Sequence, residues 1–179
     1  MSRVLFTFTL ILVVAANIIM SSSPIGQPLL VQYGDGTGML DFLTYYSEEQ
    51  AATALTSLGP EGSYIYTRLL LIDFVFIIGT AIVFSMIMQF LVNWSGLPVG
   101  WRKLHWLGYT RSGFDAIENV LLLIGLNAAS VNQSTLTIAG IMTLLKWIIM
   151  YVYIAVAVAV LIIGIRNKVK LRKTNHFVR

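Results

Sequence analysis

The chain has 179 residues, of which 57% are hydrophobic and only 11% are charged, and its formal net charge is +4. Soluble domains carry about 25% charged residues, so this composition excludes an ordinary water-exposed surface and indicates a membrane protein. Because the sequence contains no cysteine, disulfides, thiolate metal sites, iron–sulfur ligation and a cysteine nucleophile are excluded.

Four apolar segments predict four transmembrane helices, at residues 4–20, 65–92, 114–131 and 136–165. The first segment also fits a secretory signal peptide, because a basic start precedes the apolar stretch and small residues follow it. We favour an uncleaved helix, since its apolar stretch is longer than a typical signal core and Pro24 is awkward beside a cleavage point. Cleavage would leave three spans.

The hydrophilic segment between the first two spans, residues 21–64, holds five acids and no lysine or arginine. Within it, Ser47 and Gln50 predict a capping box that begins a short amphipathic helix, and Gly59 predicts its end. We expect this helix to lie on the outer face of the membrane.

Basic residues concentrate before the first span, between the second and third spans, and in the tail of residues 166–179. Excess lysine and arginine marks the cytoplasmic side of a membrane. The sequence therefore predicts an all-α membrane protein with a single four-helix transmembrane domain. Both termini are expected in the cytoplasm, the acidic loop outside, and the whole chain in the plasma membrane.

Four basic residues follow the last span closely, namely Lys168, Lys170, Arg172 and Lys173. Residues in this position attract anionic lipid headgroups by about 1 kcal/mol each. The same charges would also fix the orientation of the chain without binding a particular lipid. The expected partners are thus the bilayer and its anionic headgroups, and nucleic acid is not expected.

Ionisable side chains inside the predicted spans are the candidate functional residues, since each costs about 2.5–3.5 kcal/mol at the centre of a membrane helix. They are Asp73 in the second span, Asp115 and Glu118 with the neighbouring Asn119 in the third, and Lys146 in the fourth. The three residues of the third span share one helical face, which must point into the bundle. We expect Lys146 to be the counter-ion that joins Asp73 and Glu118. Such a cluster could relay ions, bind a charged ligand, or only fix how the helices pack.

Several short motifs occur between residues 40 and 126. They are Tyr-x-x-Glu at residues 46–49, Leu-Gly-Pro-Glu-Gly at residues 58–62, Asp73, and Asp-x-x-Glu-Asn at residues 115–119. In these motifs the chain resembles a loose group of small four-helix membrane proteins, common in bacteria, that have no known activity. The resemblance implies a four-helix membrane fold and no particular reaction.

The sequence favours a non-catalytic accessory or scaffold subunit of a membrane complex, because it shows no catalytic set of residues. The alternative is a small transporter, channel, or lipid- or ligand-binding protein that uses the charged residues of the spans. An enzyme is the least favoured class, since both histidines, His105 and His176, fall outside the spans. No cofactor is expected. Other membrane proteins or further copies of the chain are possible partners.

Overall fold

A computed structural model describes residues 3–22, 25–128 and 132–176, and the side chains of residues 4–22, 25–128 and 132–170. Within these residues the regular secondary structure is all helical, and there is no strand. The α-helices are α1 (Arg3–Ser21), α2 (Gln27–Tyr33), α3 (Glu48–Ser57), α4 (Gly59–Ser95), α5 (Trp106–Asn127) and α6 (Gln133–His176). Short 3₁₀ segments occur at Leu40–Phe42 and Val99–His105.

Three of these helices, α1, α4 and α6, are long and apolar enough to cross a membrane. Helix α5 has 22 residues, which at about 1.5 Å per residue makes it as long as the hydrocarbon core is thick. It differs from the other three because Arg111, Asp115 and Glu118 fall within one short helix and leave it no long apolar stretch. Helices α1, α4 and α6 are therefore compatible with membrane insertion by length and composition, whereas α5 has to be judged by its packing.

Helices α4, α5 and α6 lie side by side and run alternately up and down. Near one end, Gly125 of α5 lies against Leu55 of α3 and Leu136 of α6. Near the other end, Gly108 at the start of α5 lies against the backbone of α4 at Ser85. We call the first the loop end, because residues 25–58 lie there, and the second the tail end. Glycines at such crossings let helix backbones approach closely.

Helix α1 packs on α4, where Gly79 sits directly against Val13 and close to Thr9. The side of α1 that faces the bundle is buried at Thr9, Ala16 and Met20, whereas most of its other apolar side chains are exposed. An apolar surface of this kind suits contact with lipid. The helix thus lies at the edge of the bundle and runs toward the loop end.

The predicted helix in the loop is α3, and its capping box is present. Ser47 Oγ accepts a hydrogen bond from the Gln50 backbone N–H at 3.2 Å, and Gln50 Oε1 accepts one from the Ser47 N–H at 2.9 Å. Gly59 has φ 63°, a left-handed conformation that glycine adopts without strain and that separates α3 from α4. The apolar side of α3 is buried by packing on α6 and α4, which removes it from water. The position of α3 at the outer face of the membrane stays a prediction.

The helices extend beyond the segments predicted from hydropathy. Helix α5 begins at Trp106, eight residues before the predicted start at residue 114. The predicted boundary excluded Arg111 from the span, but this arginine continues the helix and faces Asp115 one turn later. Helix α6 likewise continues from Gln133 to His176, so the basic tail is helical as far as the structure describes it.

Candidate functional site

Lys146 of α6 lies at the centre of a buried charged cluster between α4, α5 and α6. Its Nζ is 2.8 Å from Asp115 Oδ1 and 2.7 Å from Glu118 Oε2, both on α5. The contact with Asp115 is a hydrogen bond. The contact with Glu118 is an ion pair whose angle falls outside hydrogen-bond geometry. The single positive charge of Lys146 is therefore shared between two carboxylates. All three side chains are at most 3% exposed.

Arg111 supplies the second positive charge. Its Nη1 lies 2.7 Å from Asp115 Oδ2, and Nη1 also donates to Thr80 Oγ1 of α4 at 3.5 Å. Sequence reasoning placed Arg111 in the loop before the third span, whereas it lies within helix α5. Asp115 thus holds a cation on each carboxylate oxygen, which leaves it the best compensated acid of the cluster.

Asp73 of α4 has a different partner from the one expected. Its Oδ2 accepts a hydrogen bond from Asn119 Nδ2 at 2.7 Å, and within the described residues no ion pair joins Asp73 to Lys146. Asp115 occupies the place that sequence reasoning gave to Asp73 as the second acid on the lysine. Asp73 nevertheless belongs to the cluster, because a carboxylate oxygen of Asp73 lies within 4.8 Å of one of Asp115.

A fourth acid, Asp41, comes from the loop and was not among the sequence candidates. Residues 39–46, which we call the inserted segment, enter the bundle from the loop end. Hydrogen bonds hold the segment: Leu40 N–H donates to Tyr66 Oη at 2.9 Å, and Trp147 Nε1 donates to the Leu43 carbonyl at 2.8 Å. Tyr46 Oη donates to Glu118 Oε1 at 3.2 Å.

The inserted segment brings Asp41 deep into the molecule. A carboxylate oxygen of Asp41 lies within 4.8 Å of oxygens on both Asp73 and Asp115. Along their helices, Asp73, Asp115 and Lys146 stand about 18–21 Å from the loop end, by the rise per residue. The backbone of the segment is held by the surrounding helices through the hydrogen bonds to Tyr66 and Trp147.

The charges of the cluster do not balance. Four carboxyl groups, from Asp41, Asp73, Asp115 and Glu118, face the two cations Lys146 and Arg111. When every group is ionised, the cluster carries two excess negative charges. Three buried oxygens of the cluster also have no hydrogen-bond partner among the described residues, and two of them, Asp41 Oδ1 and Asn119 Oδ1, are not ion-paired with Lys146 as Glu118 Oε2 is. A buried acceptor without a partner costs about 1–3 kcal/mol, so the cluster as it stands attracts positive charge.

The basic residues of the tail end are separate from this cluster. Lys168 Nζ stands 4.1 Å from the centre of the Trp94 ring, a cation–π contact that joins the end of α6 to the end of α4. Asn167 Nδ2 donates to the Ser95 carbonyl at 3.0 Å beside it. Lys168 and Lys170 are exposed, whereas the side chains of Arg172 and Lys173 lie outside the described residues. Contact with anionic headgroups therefore stays a prediction for all four.

Comparison with known proteins gives no relative from which a function could be transferred. No family model, no curated protein and no solved structure matches the chain. The assignment of function therefore rests on the geometry of the charged cluster.

Two residues of the cluster, Arg111 and Asp41, could have been suspected from their sequence neighbours, which hydropathy alone does not take into account. Arg111 stands four residues before Asp115, a spacing that pairs opposite charges on one helix. Asp41 stands between Met39-Leu40 and Phe42-Leu43, so a loop acid is flanked by apolar residues that favour burial. Neither signal says which other charges the residue would meet.

Proposed function

We propose that the protein is a small four-span membrane transporter that binds a cation at the charged cluster. The observation that carries the proposal is the excess of two carboxylates over cations in a site buried among helices. A site that served only to hold helices together would be better served by balanced charges, because an uncompensated buried charge is strongly destabilising. Ionisable residues at membrane depth commonly mark ion and substrate pathways.

Four spans with both termini in the cytoplasm are part of this proposal. Helix α5 lies between α4 and α6 over the same depth, and its charged side faces these neighbours. Burial of that side removes the main objection to a span that carries three ionisable residues. The tail end gathers basic residues from the second loop and α6, whereas residues 21–64 at the loop end contain no lysine or arginine, which suits an inside tail end in the plasma membrane.

The inserted segment supports a carrier more than an open channel. Asp73, Asp115, Glu118 and Lys146 are 0–3% exposed, so this conformation is closed around the charges. The only cluster acid that does not belong to a long helix is Asp41, on a short segment that the loop end holds in place. Movement of that segment would open the cluster toward the loop end, which resembles how broken backbone serves ion sites in other transporters.

Ion flux into proteoliposomes tests the proposal. Purified protein is reconstituted into vesicles that contain a cation-sensitive dye, and gradients of H⁺, Na⁺, K⁺, Mg²⁺ and Ca²⁺ are imposed in turn. We expect a flux for at least one cation that falls at least tenfold in Asp41→Asn and persists in Glu49→Gln, which removes an exposed acid of the loop. Absence of protein-dependent flux for every cation would reject the transporter.

A non-catalytic scaffold or accessory subunit is the second candidate. The observation in its favour is the closure of the cluster, since a fixed clasp between helices requires no access from either side. Native mass spectrometry of gently extracted protein distinguishes the two candidates. A stoichiometric membrane-protein partner favours the scaffold, and a monomer or homo-oligomer without such a partner favours the transporter.

A further inference from the structure

We infer that the charged cluster is a binding site for one hard divalent cation of the Ca²⁺ class, held by Asp41, Asp73 and Asp115 with the amide oxygen of Asn119. The inference rests on the proposed function, because it names the class of cation that the same site would bind. It also reaches further, because it assigns a ligand set and predicts that binding fastens the inserted segment to α4 and α5.

The ligand atoms are all oxygens, and they come from three separate elements. Asp41 belongs to the inserted segment, Asp73 to α4, and Asp115 and Asn119 to α5. Carboxylate and amide oxygens suit hard cations such as Ca²⁺ and Mg²⁺. Zn²⁺ and Cu²⁺ prefer imidazole or thiolate, whereas the sequence contains no cysteine and only two histidines, neither in the cluster.

The chemistry of the site favours Ca²⁺ over Mg²⁺. One carboxylate oxygen from each aspartate lies within 4.8 Å of the other two, which is close enough for one ion to lie between them. Mg²⁺ loses its water reluctantly and usually keeps several water ligands, whereas Ca²⁺ accepts a set of protein oxygens in flexible geometry. A buried site that offers only protein oxygens therefore suits Ca²⁺ better.

Two independent observations point to a missing partner at this place. Asp41 is 6% exposed and its Oδ1 has no hydrogen-bond partner. Asn119 is fully buried, and its Oδ1 also lacks a partner although its Nδ2 is bonded to Asp73. Both oxygens are acceptors, so a positive ion satisfies them and a further carbonyl or carboxylate does not.

The charge of the ion follows from the charge of the cluster. Two excess negative charges are neutralised by one divalent cation without protonation of any acid. Asp115 already carries Lys146 and Arg111 on its two oxygens, which makes it the weakest of the three carboxylate ligands. Asp41 and Asp73 carry no such cation in the described residues, so these two acids contribute most of the attraction.

Thermal unfolding of the full-length protein in detergent tests the inference. The protein is first treated with a chelator, and CaCl₂, MgCl₂ or choline chloride is then added at matched ionic strength. We expect Ca²⁺ to raise the unfolding temperature by several degrees in a saturable manner, Mg²⁺ to raise it less, and choline chloride not at all. The shift is expected in Glu49→Gln and lost in Asp41→Asn.

Equilibrium dialysis with Ca²⁺ counts the bound ions directly, and it is carried out on variants that elute as a single folded species in size-exclusion chromatography. We expect one bound Ca²⁺ per chain in the wild type and in Glu49→Gln, and at least a tenfold weaker affinity in Asp41→Asn and in Asp73→Asn. No saturable binding in the wild type would overturn the inference, and equal binding in Asp41→Asn would overturn its placement.

The failure of this inference and the failure of the proposed transporter give different results. If Ca²⁺ does not bind but another cation shows a flux that depends on Asp41, the transporter stands and the divalent site falls. If Ca²⁺ binds with one ion per chain but no cation crosses the membrane, the divalent site stands and the transporter falls.

Discussion

Replacement of Lys146 by methionine removes the charge that holds two acids of α5 to α6. Methionine keeps the length and most of the volume of the side chain, so the change isolates the ammonium group. Two contacts disappear, at 2.8 Å to Asp115 and 2.7 Å to Glu118. Both acids stay buried, and Arg111 becomes the only cation of the cluster among the described residues.

The expected cost follows from the burial of the partners. Removal of one member of a buried ion pair costs about 3–5 kcal/mol, because the other charge stays buried without compensation. For a protein of this size, about 2–4 °C of unfolding temperature corresponds to each kcal/mol. We therefore expect Lys146→Met to lower the unfolding temperature by about 10 °C, measured by fluorescence-detected size-exclusion chromatography after heating.

The structure also predicts an asymmetry within the pair. Glu118→Leu should cost less than Lys146→Met, because the lysine retains Asp115 when Glu118 is lost. The double variant has the same excess of acid as the wild type, so it should be more stable than Lys146→Met by about 1–3 kcal/mol. Lys103→Met, which removes an exposed lysine, is the matched control and should unfold like the wild type.

Two results would refute this reasoning. An unfolding temperature of Lys146→Met equal to that of Lys103→Met would show that the ion pairs do not stabilise the bundle. A double variant no more stable than Lys146→Met would show that the two residues are not coupled.

The same double variant also tests the function of the cluster. If it is well folded but inactive in the flux assay, the cluster does not serve only to fix packing.

Three further predictions concern other parts of the molecule. Gly140→Ala places a methyl group directly against the Tyr46 carbonyl of the inserted segment, so we expect the free energy of unfolding to fall by about 1–3 kcal/mol in a thermal unfolding assay. The added methyl group of Gly100→Ala meets nothing within 4 Å, so this control variant should be as stable as the wild type. Ser47→Ala removes the helix cap and should cost about 1 kcal/mol in the same assay. Because the chain has no cysteine, single cysteines report topology cleanly: a membrane-impermeant maleimide should label Asp35→Cys on intact cells and Lys103→Cys only after permeabilisation, and the reverse pattern would refute the proposed orientation.

The helical class and most of the helices could be predicted from the sequence, because hydropathy and helical periodicity are local properties. Three of the four predicted spans correspond to helices that are long and apolar enough for a membrane. The capping box at Ser47 was also readable, since both of its hydrogen bonds join residues three positions apart. The shared face of Asp115, Glu118 and Asn119 follows from the 3.6-residue period in the same way.

The ends of the helices were less predictable, because a charged residue can continue a helix when a partner buries its charge. Hydropathy left Arg111 outside the third predicted span, which began at residue 114, yet Arg111 lies inside α5 and contacts Asp115. The energetic cost of a charge in a membrane depends on its neighbours, and hydropathy assigns that cost to each residue alone.

Only the tertiary structure decided the composition of the cluster. The sequence by itself determined that the chain is helical and apolar, and that a few ionisable residues have to be compensated within its helices. It did not determine that Lys146 holds Asp115 in addition to Glu118, that Asp73 is bonded to Asn119, or that Asp41 enters from the loop. The bonded pairs are 31 and 46 positions apart in the chain. Contacts between residues so far apart depend on how the helices and the inserted segment pack. The excess of negative charge arises only from that packing, because it exists only once Asp41 is buried beside acids from other helices.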